Sequence, residues 1–576
     1  MFNILKYLKP YIVWILIIFI TVYVQVVYCD LALPDYMANI INNGVVIGDT
    51  SYILNMGFKM ILISLLGISM SIITGFLAAK VGASFAKDLR DKTFSKVTFF
   101  GNTEIKKFGI ASLITRTTND ITQIQMFITI VFRIMIMAPI MGIGGILKIT
   151  GRSDNMAWII ALGVFLLLLL IVILVSIVMP KFKIIQKLTD KLNLVTRENL
   201  TGMMVIRAFN TKKQEEEKFD KVSKDVTKTN LFIDRIMSIL NPSMMLIINI
   251  IILLIIWFGA KNISLGTLQI GDMMAYIQYT MQIMMSFLMV SMMFVFLPRA
   301  TVAGNRVNEV LTMENIVKDK EDIKDFKVSD GIIEFKNVSF RYHDAIDDVL
   351  TGVTFTANKN EVTAFIGSTG SGKSTLVDLI PRFYDVSGGQ ILIDDVDIRD
   401  VPMKDLRDSI GYVPQKGVLF TGTISSNIKY GNKDISDKDL DLVSEISCSK
   451  EIINSKEEKY QSLISEGGVN VSGGQKQRLS IARALAKKAK IYIFDDSFSA
   501  LDYKTESKVR KMINEHLKDK TILIVAQRVS SIMHADKIVV LDCGKVVGVG
   551  KHLDLMKTCD VYKEIALSQL SKEELA

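Results

Sequence analysis

The chain has 576 residues, more than a single hydrophobic core usually holds, because domains contain roughly 100–200 residues. Half of the residues are hydrophobic, 29 are Met and the mean hydropathy is +0.34, a composition that disfavours both a disordered chain and a wholly soluble one. The formal charge of +9 is unevenly placed: residues up to Leu311 hold 30 basic and 18 acidic side chains, a balance of +12, whereas the remainder holds 38 and 41, a balance of −3. The C-terminal half therefore has no basic excess for binding nucleic acid, which is excluded as a partner.

Six hydrophobic runs precede Leu311. Each approaches or exceeds the roughly 20 residues that cross a hydrocarbon core, so the sequence predicts six membrane spans and a lipid bilayer as partner. The first run is not a signal peptide, because Val26 to Asp30 offers no small-residue cleavage site, and bulky Tyr28 disfavours a lipoprotein site at Cys29. The runs lie at about 12–29, 53–79, 125–147, 156–179, 243–260 and 273–297.

Basic residues in the connecting segments predict the orientation of these spans. Segment 80–120 carries eight Lys or Arg and segment 180–240 carries thirteen, whereas segment 30–52 carries none. Because basic loops stay on the cytoplasmic side, the two long loops and both termini are predicted to face the cytosol. The chain is therefore predicted to be a multi-pass protein located in the cell membrane.

The length of segment 180–240 predicts a helical hairpin that extends about 45 Å beyond the bilayer, since each arm has roughly 30 residues at 1.5 Å per residue. A soluble insertion domain is the alternative, but the segment shows no strand-like alternation.

The spans themselves contain polar and sulfur-rich positions. Arg133, Asn249, Gln278 and Gln282 are candidates for a transport pathway, with interhelical hydrogen bonding as the alternative for the amides and an interfacial position for Arg133. Eight Met residues fall between positions 273 and 293, which suits either a cavity for varied apolar ligands or simple gap filling.

After Leu311 short β-rich runs alternate with helices, which indicates an α/β domain. The run Val362 to Ile366 leads into a glycine-rich loop and an apolar helix, the strand–loop–helix context of a P-loop. Its backbone N–H groups would close on phosphates, Lys373 would reach the outer phosphates of ATP, and Ser374 would bind Mg²⁺. The predicted nucleotide-binding residues are Gly367, Ser368, Thr369, Gly370, Ser371, Gly372, Lys373, Ser374 and Thr375.

Two further motifs follow the P-loop. The strand Ile491 to Asp495 ends in a carboxylate suited to holding Mg²⁺, and the residues Ser472, Gly473, Gly474 and Gln475 open a helix where they could grip a phosphate. Each motif alone is weak, because many buried strands end in Asp and a Ser before two glycines is also an ordinary helix cap.

In this order and spacing the motifs resemble the ATP-binding cassette (ABC) family, and six spans followed by one cassette resemble a half-transporter of the exporter class. The resemblance implies an all-α six-helix transmembrane domain at 1–311, a linker at 312–329 and an α/β P-loop nucleotide-binding domain at 330–576. It implies that Tyr342 stacks on adenine and that Gln415 senses Mg²⁺. It also implies that Ser472 to Gln475 act in trans on the ATP of a second half-transporter.

Two positions depart from the family pattern. Asp496 stands where the family has a Glu that acts as general base, and its side chain is one methylene shorter. Gln527 stands where the family has a switch His, and an amide carries no titrating proton. Together they predict a weakened ATP site in this chain and a heterodimer with a different partner that bears Glu and His.

The predicted function is ATP-driven export of hydrophobic or amphipathic compounds, drugs or lipids included. A peptide exporter is disfavoured because no peptidase domain precedes the first span, and an importer that shares the exporter fold, as some siderophore importers do, stays open. A nucleotide-gated channel or a sensor subunit is the alternative from another class.

Overall fold

Six helices in the N-terminal half are long and apolar enough to cross a membrane, which confirms the predicted count. They span 3–45, 50–98, 110–150, 156–201, 212–264 and 270–312. The computed structural model describes residues 2–151, 154–320, 325–343 and 345–570. Apolar side chains remain exposed along these spans, as at Leu54, Phe58 and Phe76 of the second, because a lipid-facing surface has no reason to exclude them.

The helical segments of this half are interrupted by short π-helical turns in the first and third spans. In chain order they are Phe2–Leu5, Lys6–Tyr11, Ile12–Tyr23, Val24–Asp30, Leu33–Asn39, Ile40–Val45, Thr50–Thr98, Asn102–Phe108, Ile110–Thr117, Asn119–Ile130, Val131–Met135, Met137–Thr150, Asp154–Thr201, Met203–Ala208, Lys212–Ser238, Leu240–Ser264 and Ile270–Thr312. The first span reaches Val45, so most of segment 30–52, expected as a loop, is helical.

Segment 180–240 is a helical hairpin, as its length predicts. Asp154–Thr201 forms the descending arm, Met203–Ala208 a short helix at the turn, and Lys212–Ser238 the returning arm. The soluble insertion domain, which was the alternative, is wrong.

The chain divides into two compact units whose boundary lies between Met313 and Glu314. The first unit consists of Met1–Thr98 with Ala111–Met313, and the second of Glu314–Ala576 together with the loop segment Phe99–Ile110. Most of the segment 312–329, expected as a linker, thus belongs to the second unit. There Asn315 Nδ2 donates to the Phe99 carbonyl at 2.6 Å.

Polar groups of the sixth span bind the first span where its helix is interrupted. Pro34 has no N–H, so the helical bond from residue 34 to the Asp30 carbonyl cannot form. Gln282 Nε2 instead donates to that carbonyl at 2.8 Å, and Tyr279 Oη donates to the Leu31 carbonyl at 3.0 Å. For Gln282, interhelical hydrogen bonding is therefore confirmed.

A partly exposed ion pair extends the same contact to the third span. Lys148 Nζ lies 2.8 Å from Asp35 Oδ2. The other carboxylate oxygen of Asp35 lies 2.5 Å from Tyr279 Oη, so it shares the single hydroxyl proton of Tyr279 with the Leu31 carbonyl. Spans one, three and six are therefore joined by charge as well as by packing.

The Met-rich sixth span presents some of its thioethers outward. Met274, Met281 and Met285, at i, i+7 and i+11 on one helical face, are 37, 50 and 50% exposed, whereas Met284 is buried. The side chain of Met292 lies outside the described part of the structure.

The second unit contains twelve strands in its described residues. They are β1 Ile333–Phe340, β2 Leu350–Ala357, β3 Val362–Gly367, β4 Gly388–Ile393, β5 Val396–Asp397, β6 Ile410–Val413, β7 Gly422–Thr423, β8 Leu463–Ile464, β9 Ile491–Asp495, β10 Thr521–Val525, β11 Lys537–Asp542 and β12 Lys545–Gly550. They form a six-stranded sheet in the order β12-β11-β3-β10-β9-β6, a four-stranded sheet β2-β1-β4-β5 and a two-stranded sheet β7-β8. The helices are Lys373–Leu379, Ile398–Asp400, Met403–Asp408, Ile424–Lys429, Asp437–Ile446, Lys450–Asn454, Lys459–Gln461, Glu466–Gly468, Gly473–Ala486, Tyr503–His516, Val529–Ser531, His552–Thr558 and Asp560–Gln569.

Within the six-stranded sheet, β11, β3, β10, β9 and β6 pair in parallel with one another, and β12 pairs antiparallel with β11. Side chains of β9 alternate between two cores: Tyr492 and Phe494 enter one, Ile491 and Ile493 the other. A parallel sheet covered on both faces explains why these strands are continuous apolar runs. The fold class, six apolar helices followed by an α/β domain, agrees with the sequence prediction.

Candidate functional site

Four neighbouring parallel strands end at one edge of the large sheet, and each end carries a predicted site residue. Strand β3 runs into Gly367, β9 into Asp495 and Asp496, β10 into Gln527 and β6 into Gln415. Because the carboxyl ends of parallel strands meet at the same edge, four segments distant in the chain converge there.

The P-loop closes tightly on itself in front of this edge. A Cβ at Gly367 would lie 2.0 Å from the Leu541 carbonyl oxygen, and Gly372 has φ +94°, so both positions require glycine. Lys373 Nζ donates to the carbonyls of Gly367 and Ser368 at 2.9 and 2.8 Å. Burial lowers the pKa of Lys373.

An open pocket of about 310 Å³ lies over the loop. Its lining includes most of the predicted P-loop together with both strand-end amides: Val349, Thr369, Gly370, Gly372, Lys373, Ser374, Thr375, Gln415 and Gln527. The signature residues Ser472 to Gln475 do not line it. They cap the helix Gly473–Ala486, where Ser472 Oγ accepts from the Gln475 N–H at 3.3 Å and Gln475 Oε1 accepts from the Ser472 N–H at 3.0 Å.

The oxygen donors predicted for Mg²⁺ are adjacent. Ser374 Oγ donates to Asp495 Oδ1 at 2.9 Å, so a hydroxyl and a carboxylate already converge beside the P-loop, a donor set that fits a hard cation. Burial raises the pKa of Asp495 to about 6, against the lowering effect of the Ser374 hydrogen bond.

The two departures from the family pattern contact one another. Asp496 is 7% exposed, and its Oδ2 accepts a hydrogen bond from Gln527 Nε2 at 2.8 Å and another from Gln415 Nε2 at 3.2 Å. Its backbone adopts φ 44°, a conformation uncommon for a side-chain-bearing residue. One carboxylate oxygen is thus held by two amides from different strand ends.

The loop segment Phe99–Ile110 supplies a residue that sequence reasoning missed. Lys106 Nζ lies 4.9 Å from the ring centroid of Tyr342 and 5.7 Å from that of Tyr384, within range of a cation–π interaction. A hydrogen bond to Tyr384 raises the pKa of Lys106. Tyr342 Oη in turn lies 3.0 Å from Thr375 Oγ1. Two Lys in a loop gave no sequence signal for a contact more than 200 residues away.

In the membrane unit, a small apolar cavity of about 60 Å³ lies between the fourth, fifth and sixth spans. Eight of its nine lining residues are apolar. They are Ile171, Leu174, Val175, Val178, Met179, Phe182, Met237 and Leu240, with Ser291 as the ninth.

A P-loop pocket at a parallel sheet edge, in one chain with six membrane-crossing helices, defines a membrane protein with a nucleotide-binding domain. The family profile described as ABC transporter transmembrane region matches residues 14–287, and the one described as ABC transporter matches residues 350–499. The chain therefore belongs to the ABC transporter family and is a multi-pass membrane protein with an ATP-binding domain.

Relatives match along nearly the whole chain. An uncharacterized ABC transporter ATP-binding protein of Bacillus subtilis (strain 168), YfiB, is 36% identical over 575 residues, which are 99% of this chain and 98% of that protein. An uncharacterized ABC transporter ATP-binding protein of Mycobacterium tuberculosis is 35% identical over 545 residues, 94% of this chain and 93% of that protein. The structure of a bacterial Atm1-family ABC exporter with ATP bound has the same fold, with a TM-score of 0.81 at 23% identity over 98% of this chain and 99% of that chain.

Proposed function

We propose that the chain is one subunit of an ATP-driven exporter that moves hydrophobic or amphipathic compounds, drugs or lipids among them, out of the cell. The observation that carries the proposal is a P-loop pocket and six spans in one polypeptide. Two features favour a hydrophobic substrate: the apolar lining of the cavity between the fourth, fifth and sixth spans, and the exposed thioethers of the sixth span. The basic loops favour cytoplasmic termini and a cytoplasmic nucleotide-binding domain.

In this proposal Tyr342 stacks on adenine and the P-loop, Gly367 through Thr375, wraps the phosphates. Lys373 turns from the loop carbonyls to the outer phosphates when the nucleotide arrives. Ser374, Asp495 and Gln415 would hold Mg²⁺, which would neutralise phosphate charge in the site. The proximity of Ser374 and Asp495 supports this assignment.

We further propose that this chain's own site hydrolyses ATP slowly. Asp496 is shorter than the Glu of the family by one methylene, and its Oδ2 already accepts two amide hydrogen bonds. At least one of those bonds must be released before this oxygen can take a proton from the attacking water. Gln527 cannot replace an imidazole in proton transfer, because an amide does not titrate near neutral pH.

The partner in this proposal is a second, different half-transporter. The helix-capping segment Ser472 to Gln475 is intact and lies outside this chain's own pocket, so it is available to the ATP bound by a partner. A partner with Glu and His at the two altered positions would then form the faster site, completed by this chain's signature.

Purification of the tagged chain from its native membrane, followed by identification of the chain that accompanies it, tests the pairing. Transport is then measured in inside-out vesicles with a lipophilic fluorescent dye. The expected result is ATP-dependent dye accumulation that is lost when the partner's catalytic residue is removed and only reduced by Lys373→Ala in this chain. Brisk Mg²⁺-dependent turnover by a verified homodimer, or ATP-gated ion currents without dye accumulation, would contradict the proposal.

A further inference from the structure

Gln527 lies in the loop that follows strand β10, residues 526–531, which we call the switch loop. The last described helix, Asp560–Gln569, binds the backbone of this loop. Gln569 Oε1 accepts a hydrogen bond from the Val529 N–H at 2.8 Å. Gln569 Nε2 donates to the Gln527 carbonyl, also at 2.8 Å. One side chain therefore bridges the backbone on both sides of Arg528, and it uses both functional ends of its amide to do so.

The helix that presents Gln569 is firmly anchored. Tyr562 and Ala566 are fully buried in the same core as strands β9 and β10, and the Tyr562 hydroxyl lies 2.7 Å from His552 Nδ1. Residues 562, 566 and 569 stand at i, i+4 and i+7 and share one helical face. Packing of the first two therefore fixes the third over the switch loop.

The C-terminal end of the switch loop is held by the helix Tyr503–His516. Glu506, 2% exposed, accepts a hydrogen bond from Ser531 Oγ, and Arg510 Nη1 donates to the Ser531 carbonyl at 2.6 Å. These contacts fix the far end of the loop at residue 531. Among the described hydrogen bonds from side chains to the backbone of the switch loop, only those of Gln569 reach residues 527 and 529.

We propose that Gln569 is a positioning residue that sets where the Gln527 side chain stands over the phosphate pocket. A relay of three contacts carries the effect: Gln569 fixes the Gln527 backbone, Gln527 Nε2 donates to Asp496 Oδ2 at 2.8 Å, and Gln527 lines the pocket. Because the bridge acts on the main chain on both sides of Arg528, its loss frees the loop without altering any group that contacts nucleotide. This inference rests on the part of the proposed function that places Gln527 beside the terminal phosphate.

The test compares nucleotides that differ in that phosphate. Full-length chain in lipid nanodiscs binds mant-ADP, which is displaced by AMP-PNP or by ADP in the presence of Mg²⁺. Gln527→Ala should reduce the preference for AMP-PNP over ADP about tenfold, since a hydrogen bond to a charged group is lost. Gln569→Met, which keeps the length of the side chain but neither hydrogen bond, should reduce the same preference by about threefold to tenfold.

The double variant and the controls separate positioning from stability. Gln527→Ala with Gln569→Met should match Gln527→Ala alone, because the relay has a single end point. Ser568→Ala, an exposed neighbour on the same helix, should leave the preference unchanged. If Gln569→Met does not fold, Gln569→Glu, which keeps the bond from Val529 and loses the donor to Gln527, provides the same comparison with a smaller effect.

Three results would overturn the inference. An unchanged preference in Gln569→Met or Gln569→Glu beside a reduced one in Gln527→Ala would refute the clamp while leaving the role of Gln527 intact. Equal weakening of both nucleotides would mean a purely structural role for Gln569. An unchanged preference in Gln527→Ala would refute the proposed role of Gln527 itself, and the clamp with it.

Discussion

Gln527 Nε2 lies 2.8 Å from Asp496 Oδ2, so the two residues that depart from the family pattern form a hydrogen bond with each other. Asp496 follows strand β9 and Gln527 follows strand β10, and these two strands are adjacent in the sheet. The two substitutions thus form one interacting unit, and they are best tested together.

Restoring both family residues should restore hydrolysis at this chain's own site. Asp496→Glu with Gln527→His is expected to raise phosphate release by about ten- to a hundredfold, because the carboxylate advances by about one methylene and regains an imidazole neighbour. Each single change should give much less, since the pair acts as a unit. Steady-state phosphate release by the full chain, paired with a partner whose own catalytic residue is removed, measures this, with Asp496→Asn in the His background as the inactive control. A double variant no faster than wild type would place the limit at the signature of the partner.

The buried carboxylate of Asp495 predicts a pH-dependent stability of the nucleotide-free chain. Its pKa of about 6 is raised above the value of 3.8 for a free Asp, so the folded state holds the proton more tightly than the unfolded state does. The contribution to stability is fully present below about pH 4 and is lost as the pH rises through 6. The resulting difference above pH 7 is at most about 3 kcal/mol, from 1.36 kcal/mol per pKa unit.

Asp495→Asn removes this dependence. The thermal midpoint of Asp495→Asn minus that of wild type should therefore be near zero at pH 4 and should increase to a plateau above pH 7. Asp519→Asn, an exposed surface change, should show no such rise. A difference that stays flat across this window would show that the charge of Asp495 is not disfavoured in the folded chain.

Lys106 should strengthen nucleotide binding through Tyr342. Its ammonium lies 4.9 Å from that ring centroid, and loss of a cation–π contact worth about 0.5–1 kcal/mol frees the ring that is expected to stack on adenine. Lys106→Met should weaken binding of mant-ATP about twofold to fivefold. The matched control is Lys107→Met, an exposed neighbour on the same short helix, which should bind like wild type. If Lys106→Met also binds mant-ATP like wild type, the helix Asn102–Phe108 does not order the Tyr342 ring for stacking on adenine.

The hydrogen bond from Gln282 to the Asp30 carbonyl should stabilise the membrane unit, because Pro34 leaves that carbonyl without its helical donor. Gln282→Leu removes the donor to the Asp30 carbonyl and should cost about 1 kcal/mol. Pro34→Ala restores a backbone N–H to the first span, so Gln282→Leu should cost less in that background. Thermal unfolding in detergent measures both, with Gln278→Leu, one turn earlier on the sixth span, as the control. Equal costs of Gln282→Leu in the two backgrounds would refute the link to the proline.

The sequence alone determined the six spans, the helical hairpin and the P-loop in its strand–loop–helix setting. These features are local: hydrophobic length sets a span, and glycine spacing beside an apolar strand sets a phosphate loop. The motif residues Ser374 and Asp495 could be paired in advance because the family pattern connects them.

Only the tertiary structure decided which distant groups touch. Parallel pairing of β6, β9, β10 and β3 placed Gln415 and Gln527 on one oxygen of Asp496, a contact between positions 81 and 31 residues apart. Lys106 reached Tyr342 and Gln569 reached the switch loop in the same way. No periodicity or propensity records such contacts, because side chains that are neighbours through sheet order and helix packing have no fixed spacing along the chain.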